Sequence, residues 1–406
     1  MSEKQQMVLK IVGLIVTAGL MGLALYFMIF GRGPVLTPDG TIEPAPSTGS
    51  LPTAGTGVPG SGTVVTPTPG GPGVLTPSPI ADGGLTATTQ LTSSGVSKPT
   101  VTTNGSLAYY DPRDGKFYTI DASGNVVLMS QAAFPQASNV TFSNSASSAV
   151  VEFPDGSNVV YDFNTGTQST LPAHWEDFSF SDDSSSIAAK SVGTDPSNRS
   201  LIITSADGSS AKAIASLGSN NDQVDVNWSP SGDIVGFSRT GPGGSAFGQN
   251  EIYLLGTDGE AAGVLIVNGS NFKGLWSPNG SNLIYSVADA GDDYRASLWY
   301  ADSRGDRGGD TRLRLSIKTT ADKCAFASAT LAYCAVPNEM PAGGGSTGSS
   351  INSTDSLYSV SFPSGRSTLV AVPDKNTDMA NLSVSEDGRK IFYTDALGRL
   401  NFIQLK

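Results

Sequence analysis

One hairpin motif occurs twice in clear form. Residues 226–240 read "VNWSPSGDIVGFSRT" and residues 274–287 read "GLWSPNGSNLIYSV". Each copy has a short apolar run ending in Trp, a Ser-Pro-x-Gly turn and a second, alternating apolar run. Alternation over a few residues marks a half-buried strand, and the turn glycine supplies the φ > 0 that a tight hairpin needs. Weaker copies lie at 140–153, 178–191, 324–336 and 382–395. The anchors of all six are Phe142, Phe180, Trp228, Trp276, Phe326 and Val384, spaced by 38, 48, 48, 50 and 58 residues. A small unit recurring at this interval cannot bury its apolar face alone, so the copies must stack on one another.

Each hairpin is followed by a third β-prone run ("NVVYDF", "SLIITSA", "EIYLLGT", "SLWYADS", "SLYSVSF", "LNFIQLK"), and five of the six by a fourth. Four short antiparallel strands per period of about 40 to 50 residues is the pattern of a β-propeller blade. Residues 99–130 read as one more such set, strands separated by Asn-Gly, Asp-Gly and Gly-Asn turns. The expected fold is therefore all-β, a propeller of seven four-stranded blades, with six as the alternative if the first set is partly shared. The last set, from residue 380, runs out after three strands. An open edge is a liability that proteins avoid, and Thr-rich, Pro-free "LTATTQLTS" (85–93) is placed to close it.

The hairpins resemble the WD40-like (PD40) repeats of TolB-type propellers, whose motif is an apolar residue, Trp or Phe, Ser-Pro-Asp-Gly and a strand ending in an aromatic. "WSPSG", "WSPNG" and "VSEDG" match it; "FSDDS" and "FSNSA" are degraded, and "FASAT" has lost the turn. The resemblance covers about three-quarters of the chain and implies a fold rather than an activity, because propellers host unrelated functions. Hydrolase-type relatives carry a separate α/β catalytic domain, and no stretch of this sequence reads as one.

Upstream of the repeats the composition changes twice. Residues 11–30, "IVGLIVTAGLMGLALYFMIF", are uncharged and apolar over a length sufficient to span a hydrocarbon core about 30 Å thick. They predict an uncleaved signal anchor, with a cleaved signal peptide as the alternative. Lys4 and Lys10 precede the span, and after Arg32 no Lys or Arg occurs before Lys98. The positive-inside rule then puts residues 1–10 in the cytoplasm and the rest outside, as expected of a single-pass bacterial envelope protein. Residues 31–84 form a Pro/Gly/Thr/Ser-rich linker without an aromatic residue, too poor in apolar surface to fold. That leaves 85–406 for the propeller.

The net charge of −12 and the lack of a basic stripe exclude nucleic acid as the expected partner, since phosphate binding needs clustered Lys and Arg. The single histidine, His174, reads as a loop residue. "GGSTG" (344–348) satisfies G-x-S-x-G but sits in a Gly/Ser-rich insert with no helix after it and no downstream His. The acidic stretches 288–295 and 302–310 lack calcium-loop spacing, and the shortage of His and Cys excludes zinc. No catalytic constellation, metal site or cofactor is recognised. Cys324 and Cys334 flank a hairpin centred on Ala329, which places them opposite each other and predicts a disulfide; two buried thiols are the alternative.

The functional signal lies in the insertions. Connections between second and third strands are long at 192–199, 240–250, 288–295 and 337–355, all on one face of an up-and-down blade. Loops on a rigid scaffold commonly carry binding. Phe247, Asp292, Asp293, Tyr294 and Arg295 are the candidate binding residues, and neutral drift in loop length is the alternative. The expected function is a scaffold that binds an envelope or surface protein or glycan. A propeller-borne lyase or glycosidase using carboxylates on the same face is the rival. The 337–355 insert, rich in Gly and Ser, is expected to add little packing.

Overall fold

In the computed structural model, which describes residues 76–102, 105–121, 124–241, 248–303, 311–345 and 353–406, seven antiparallel sheets follow one another along the chain. The first, blade 1, spans residues 97–128. Blades 2 to 6 span 139–171, 175–216, 224–268, 270–314 and 324–373, each with its strands in sequence order. Blade 7 takes three strands from 380–404 and its outermost strand from the other end of the chain. Thr88–Gly95 pairs antiparallel with Arg399–Gln404, Thr88 opposite Ile403 and Gln90 opposite Asn401. The ring is thus a seven-bladed β-propeller closed by the segment just before its first blade.

Closure reaches further upstream than the boundary expected at residue 85. Leu85–Thr86 pairs parallel with Arg366–Pro373 and gives blade 6 a fifth strand. The Ala81 N–H donates to the Gln404 carbonyl and the Gly83 N–H to that of Val370, both at 2.8 Å, and Ala81 is buried. Residues 78–95 therefore fasten blade 6 and blade 7 together.

One apolar cluster fills each junction between consecutive blades. The motif tryptophans show how the repeat interval produces this. Trp276 stacks on Phe237 of the preceding blade, ring centroids 5.1 Å apart, and its indole N–H donates to the Asn227 carbonyl. One period earlier, the Trp228 N–H donates to Ser179 Oγ and the Val226 N–H to Asp177 Oδ2. The last junction joins Phe392 and Leu400 of blade 7 to Leu107, Tyr109 and Ile120 of blade 1, with Leu91 of the closing strand packed alongside.

The inner hairpin turn keeps one geometry in six blades: the carbonyl of a Ser or Thr accepts from the N–H three residues on. Gly105, Gly232, Gly280 and Gly388 hold that third position at positive φ. In the degraded copies Ala146 and Ser184 hold it, at φ 50° and 62°. The turn has outlived its glycine there, at the strain an L-residue meets in the left-handed region.

Residues 1–75 lie outside the described residues, and with them the expected anchor at 11–30 and most of the linker. So do Phe247 and residues 304–310. No helix among the described residues is long and apolar enough to cross a membrane.

Candidate binding face and axial mouth

Antiparallel pairing puts the start of each inner strand at the same end of its blade as the connection between the second and third strands. Val224 lies opposite Ser238, and Ser270 opposite Ala288. The long loops and the mouth of the central axis therefore share one face. A cavity of about 960 Å³ opens there, lined by Lys98, Asp177, Asp225, Arg239, Lys273 and Asp322 among its charged residues.

Four of the seven inner strands are irregular at this end and regular beyond it. The register slips between Ser97 and Thr100, Glu176 and Ser179, Ser270 and Lys273, and Ala380 and Ser383, in blades 1, 3, 5 and 7. Each slip contains a non-glycine residue at positive φ: Lys98 (39°), Asp177 (57°), Asn271 (54°) and Asn381 (49°). A bulge re-aims a side chain, and left-handed backbone costs on the order of 1–3 kcal/mol at each site. Three of the four side chains so aimed line the cavity. No residue pattern announces this at Lys98, whereas Asp177 is of a type that tolerates the left-handed region. At Asn271 and Asn381 the Asn itself, tolerant of αL, is the one available signal.

Lys98 apart, the charges of the mouth are held in ion pairs. Arg239 bonds Asp225, and Lys273 Nζ lies 2.5 Å from Asp322. Lys190 Nζ lies 3.3 Å from Asp177 and 3.6 Å from Glu176, and also donates to the Val224 carbonyl. Burial pushes the Asp225 carboxyl above its usual range, against the pull of Arg239. Burial also raises Glu152, against its hydrogen bond from Asn139 and the field of Lys98. At Asp322 hydrogen bonds from Lys273 and Thr320 outweigh desolvation and hold the carboxyl below its usual range.

The structure brings Asp292, Asp293, Tyr294 and Arg295 together at the rim, but mainly as fasteners. Asp292 meets Lys318 Nζ at 2.6 Å and Arg314 at 3.1 Å, with Arg295 at 3.9 Å. The Lys318 hydrogen bond, aided by these cations, lowers its pKa. Arg295 bonds Asp293 and donates to the Met340 carbonyl. Tyr294 is the exposed member, at 47 %. Up to Gly345 the insert is not the loosely attached loop that its Gly and Ser content predicts. The Gly343 and Gly345 N–H groups donate to the carbonyls of Asp293 and Tyr294, and Asn271 Nδ2 donates to the Gly345 carbonyl at 2.6 Å. Gly345 is buried, and a Cβ there would lie 2.7 Å from the Ala296 nitrogen. Blade 6 thus lays its insert across blade 5 to the edge of the mouth.

Cys324 and Cys334 are cross-strand partners, Cα atoms 4.0 Å apart and sulfurs bonded, within the junction of blades 5 and 6. Beneath the same end of blade 6, Lys323 Nζ lies 2.7 Å from buried Asp355 and 2.5 Å from Asp378. This triad ties the end of the insert to the strand leading into blade 7. His174 is exposed on the connection into blade 3. Among the described residues no three His, Cys, Asp or Glu side chains form a group able to hold a metal ion.

No family model matches the chain, and no curated protein matches it. Solved structures do. An oligogalacturonate lyase in complex with manganese is 14 % identical and aligns over 79 % of this chain and 93 % of that one, with a TM-score of 0.53. The β-propeller domain of Cps50 (Swd1) from Myceliophteria thermophila is 11 % identical over 79 % of this chain and all of that domain, also at 0.53. At such identities the likeness is one of fold: a seven-bladed β-propeller.

Proposed function

We propose that this is a TolB-type, membrane-anchored propeller that captures an envelope or surface component on its long-loop face. Residues 11–30 hold it to the membrane and the Pro-rich segment spaces it from the bilayer. One observation carries the reading: the cavity, the re-aimed inner-strand residues and the docked part of the insert converge on a single face. The test is crosslinking from intact membranes, comparing the wild-type chain with one lacking residues 338–354. Loss of a specific crosslinked species is expected. An unchanged crosslinking pattern would place binding elsewhere.

A carbohydrate-active enzyme is the second reading, favoured by Asp225. A carboxyl whose pKa is raised by burial, close to Asp177 and a guanidinium, is what general acid or base chemistry uses. Binding is preferred because Asp225, Asp322 and Asp177 are each engaged by a cation, whereas a catalytic carboxyl must be free to meet the bond it breaks. Release of reducing or unsaturated ends from oligogalacturonate or a neutral oligosaccharide, abolished by Asp225→Asn, would reverse that preference.

A further inference from the structure

The axial mouth carries a more specific assignment, which rests on reading this face as a binding surface. Its amide side chains are half engaged. Asn250 Nδ2 donates to the Gly269 carbonyl at 2.8 Å, Asn271 Nδ2 to that of Gly345, and Asn227 Nδ2 to that of Gly274 at 3.5 Å. Each thereby commits one of its two amide N–H donors to the protein's own backbone, which fixes the amide plane and leaves the second N–H and the Oδ1. Among the described residues none of the three Oδ1 atoms receives a hydrogen bond, and Gln223 beside them makes no side-chain bond. Three amide groups, each fixed by one bond, therefore present Oδ1 acceptors and a second N–H at the cavity that Asn227, Asn250, Asn271 and Gln223 all line.

What would meet those acceptors is decided by charge. A cationic ligand entering the mouth faces Lys98, Arg239 and Lys273; an anionic one faces Asp177, Asp225 and Asp322. Since Arg239 closes on Asp225, Lys273 on Asp322 and Lys190 on Asp177, a charged ligand must break a pair for every charge contact beyond Lys98, the one lining charge in no ion pair among the described residues. An uncharged molecule escapes both penalties. It must be rich in donors, and it must tolerate apolar surface, because Val226, Phe237, Ile252 and Phe272 also line the cavity. Gly269 and Gly274 leave bare backbone beside them; a Cβ on Gly274 would lie 2.8 Å from the Phe237 ring. Hydroxyls on a ring with an apolar face meet all these conditions. We propose that the axial mouth binds a neutral oligosaccharide, with Asn227, Asn250 and Asn271 accepting from its hydroxyls.

The test uses the full chain in detergent and calorimetric titration with maltotetraose and chitotetraose as neutral probes, tetragalacturonate as the anionic probe and tetralysine as the cationic one. Saturable binding of a neutral probe is expected, weakened about ten-fold or more in N250L and in N227L with the melting temperature unchanged. Should either variant fail to fold, wild-type affinity at about 50 and 500 mM NaCl decides, because contacts between neutral groups escape screening and ion pairs do not. Equal affinity at both supports the assignment. Binding only of tetragalacturonate or only of tetralysine, or a neutral probe that N250L and N227L bind as tightly as wild type, would overturn it. So would no neutral saturation at millimolar concentration; if membrane crosslinking on the long-loop face persists in that case, the binding-scaffold reading survives and the glycan assignment alone falls.

Discussion

The closing seam and the axial mouth are built from the same four-stranded unit to opposite ends. At the seam, where blades 6, 7 and 1 meet, the chain adds fasteners. Thr88–Gly95 completes blade 7, Leu85–Thr86 caps blade 6, and Lys323 is locked between two carboxylates. The Cys324–Cys334 bridge lies in the neighbouring junction. At the mouth the chain instead spends stability. It breaks register in four inner strands and holds Lys98, Asp177, Asn271 and Asn381 in left-handed backbone. Reinforcement sits where a ring would open, and strain sits where side chains are aimed into a cavity. Strain persists only where the surroundings over-determine it, and it clusters at functional sites.

The largest expected effect comes from undoing the seam. A chain beginning at residue 99 loses the outer strand of blade 7, the cap on blade 6 and Leu91 from the last junction. Its melting temperature should fall by about 10 °C or more, or the protein should aggregate, while a chain beginning at residue 76 should match the full chain. Equal melting of the two would show that closure does not depend on this segment. Next comes the intact inner turn. A Cβ on Gly280 would lie 2.4 Å from the Ser231 nitrogen at φ 65°, so Gly280→Ala should cost about 3 kcal/mol, read from denaturant midpoints. Cys324→Ser should cost about 2 kcal/mol, the value for so short a loop, and should still fold. In line with this, unreduced denatured protein should take up no alkylating agent; two titratable thiols would contradict the bridge. Smallest is Ser184→Gly in a degraded turn. It should be neutral to stabilising by roughly 0.5 kcal/mol, because relief of the left-handed backbone offsets the entropy a glycine adds to the unfolded chain.

The seam was largely legible in the sequence, and the mouth was not. Trp228 and Trp276 with their turns fix a repeat, the repeat fixes the blade, and a last set of three strands demands a donor that only the stretch from residue 85 supplies. All of these are local patterns with a period. The parallel pairing of Leu85–Thr86 with blade 6 has no such pattern, because two residues carry no alternation. The bulge at Lys98 has no signal in its residue type, whereas Asp177, like Asn271 and Asn381, is of a type that tolerates φ > 0. The insert departs from the expectation of its composition for a related reason. Its Gly and Ser residues look unattached in sequence, yet Gly343 and Gly345 are what let its backbone approach Asp293, Tyr294 and Ala296 closely enough to bond. The side chains of Asp292 and Arg295, candidate binding residues on sequence grounds, turn to Lys318, Arg314 and the Met340 carbonyl.

The contrast between seam and mouth is tested most directly by crosslinking from intact membranes, run side by side with thermal melting, on the wild type, N250L and Cys324→Ser. The account predicts that N250L melts with the wild type but loses the specific crosslinked species, and that Cys324→Ser melts lower and keeps it. If N250L retains the species in full, or if Cys324→Ser loses it while still folded, the mouth is not the binding site and its strained strands require another explanation.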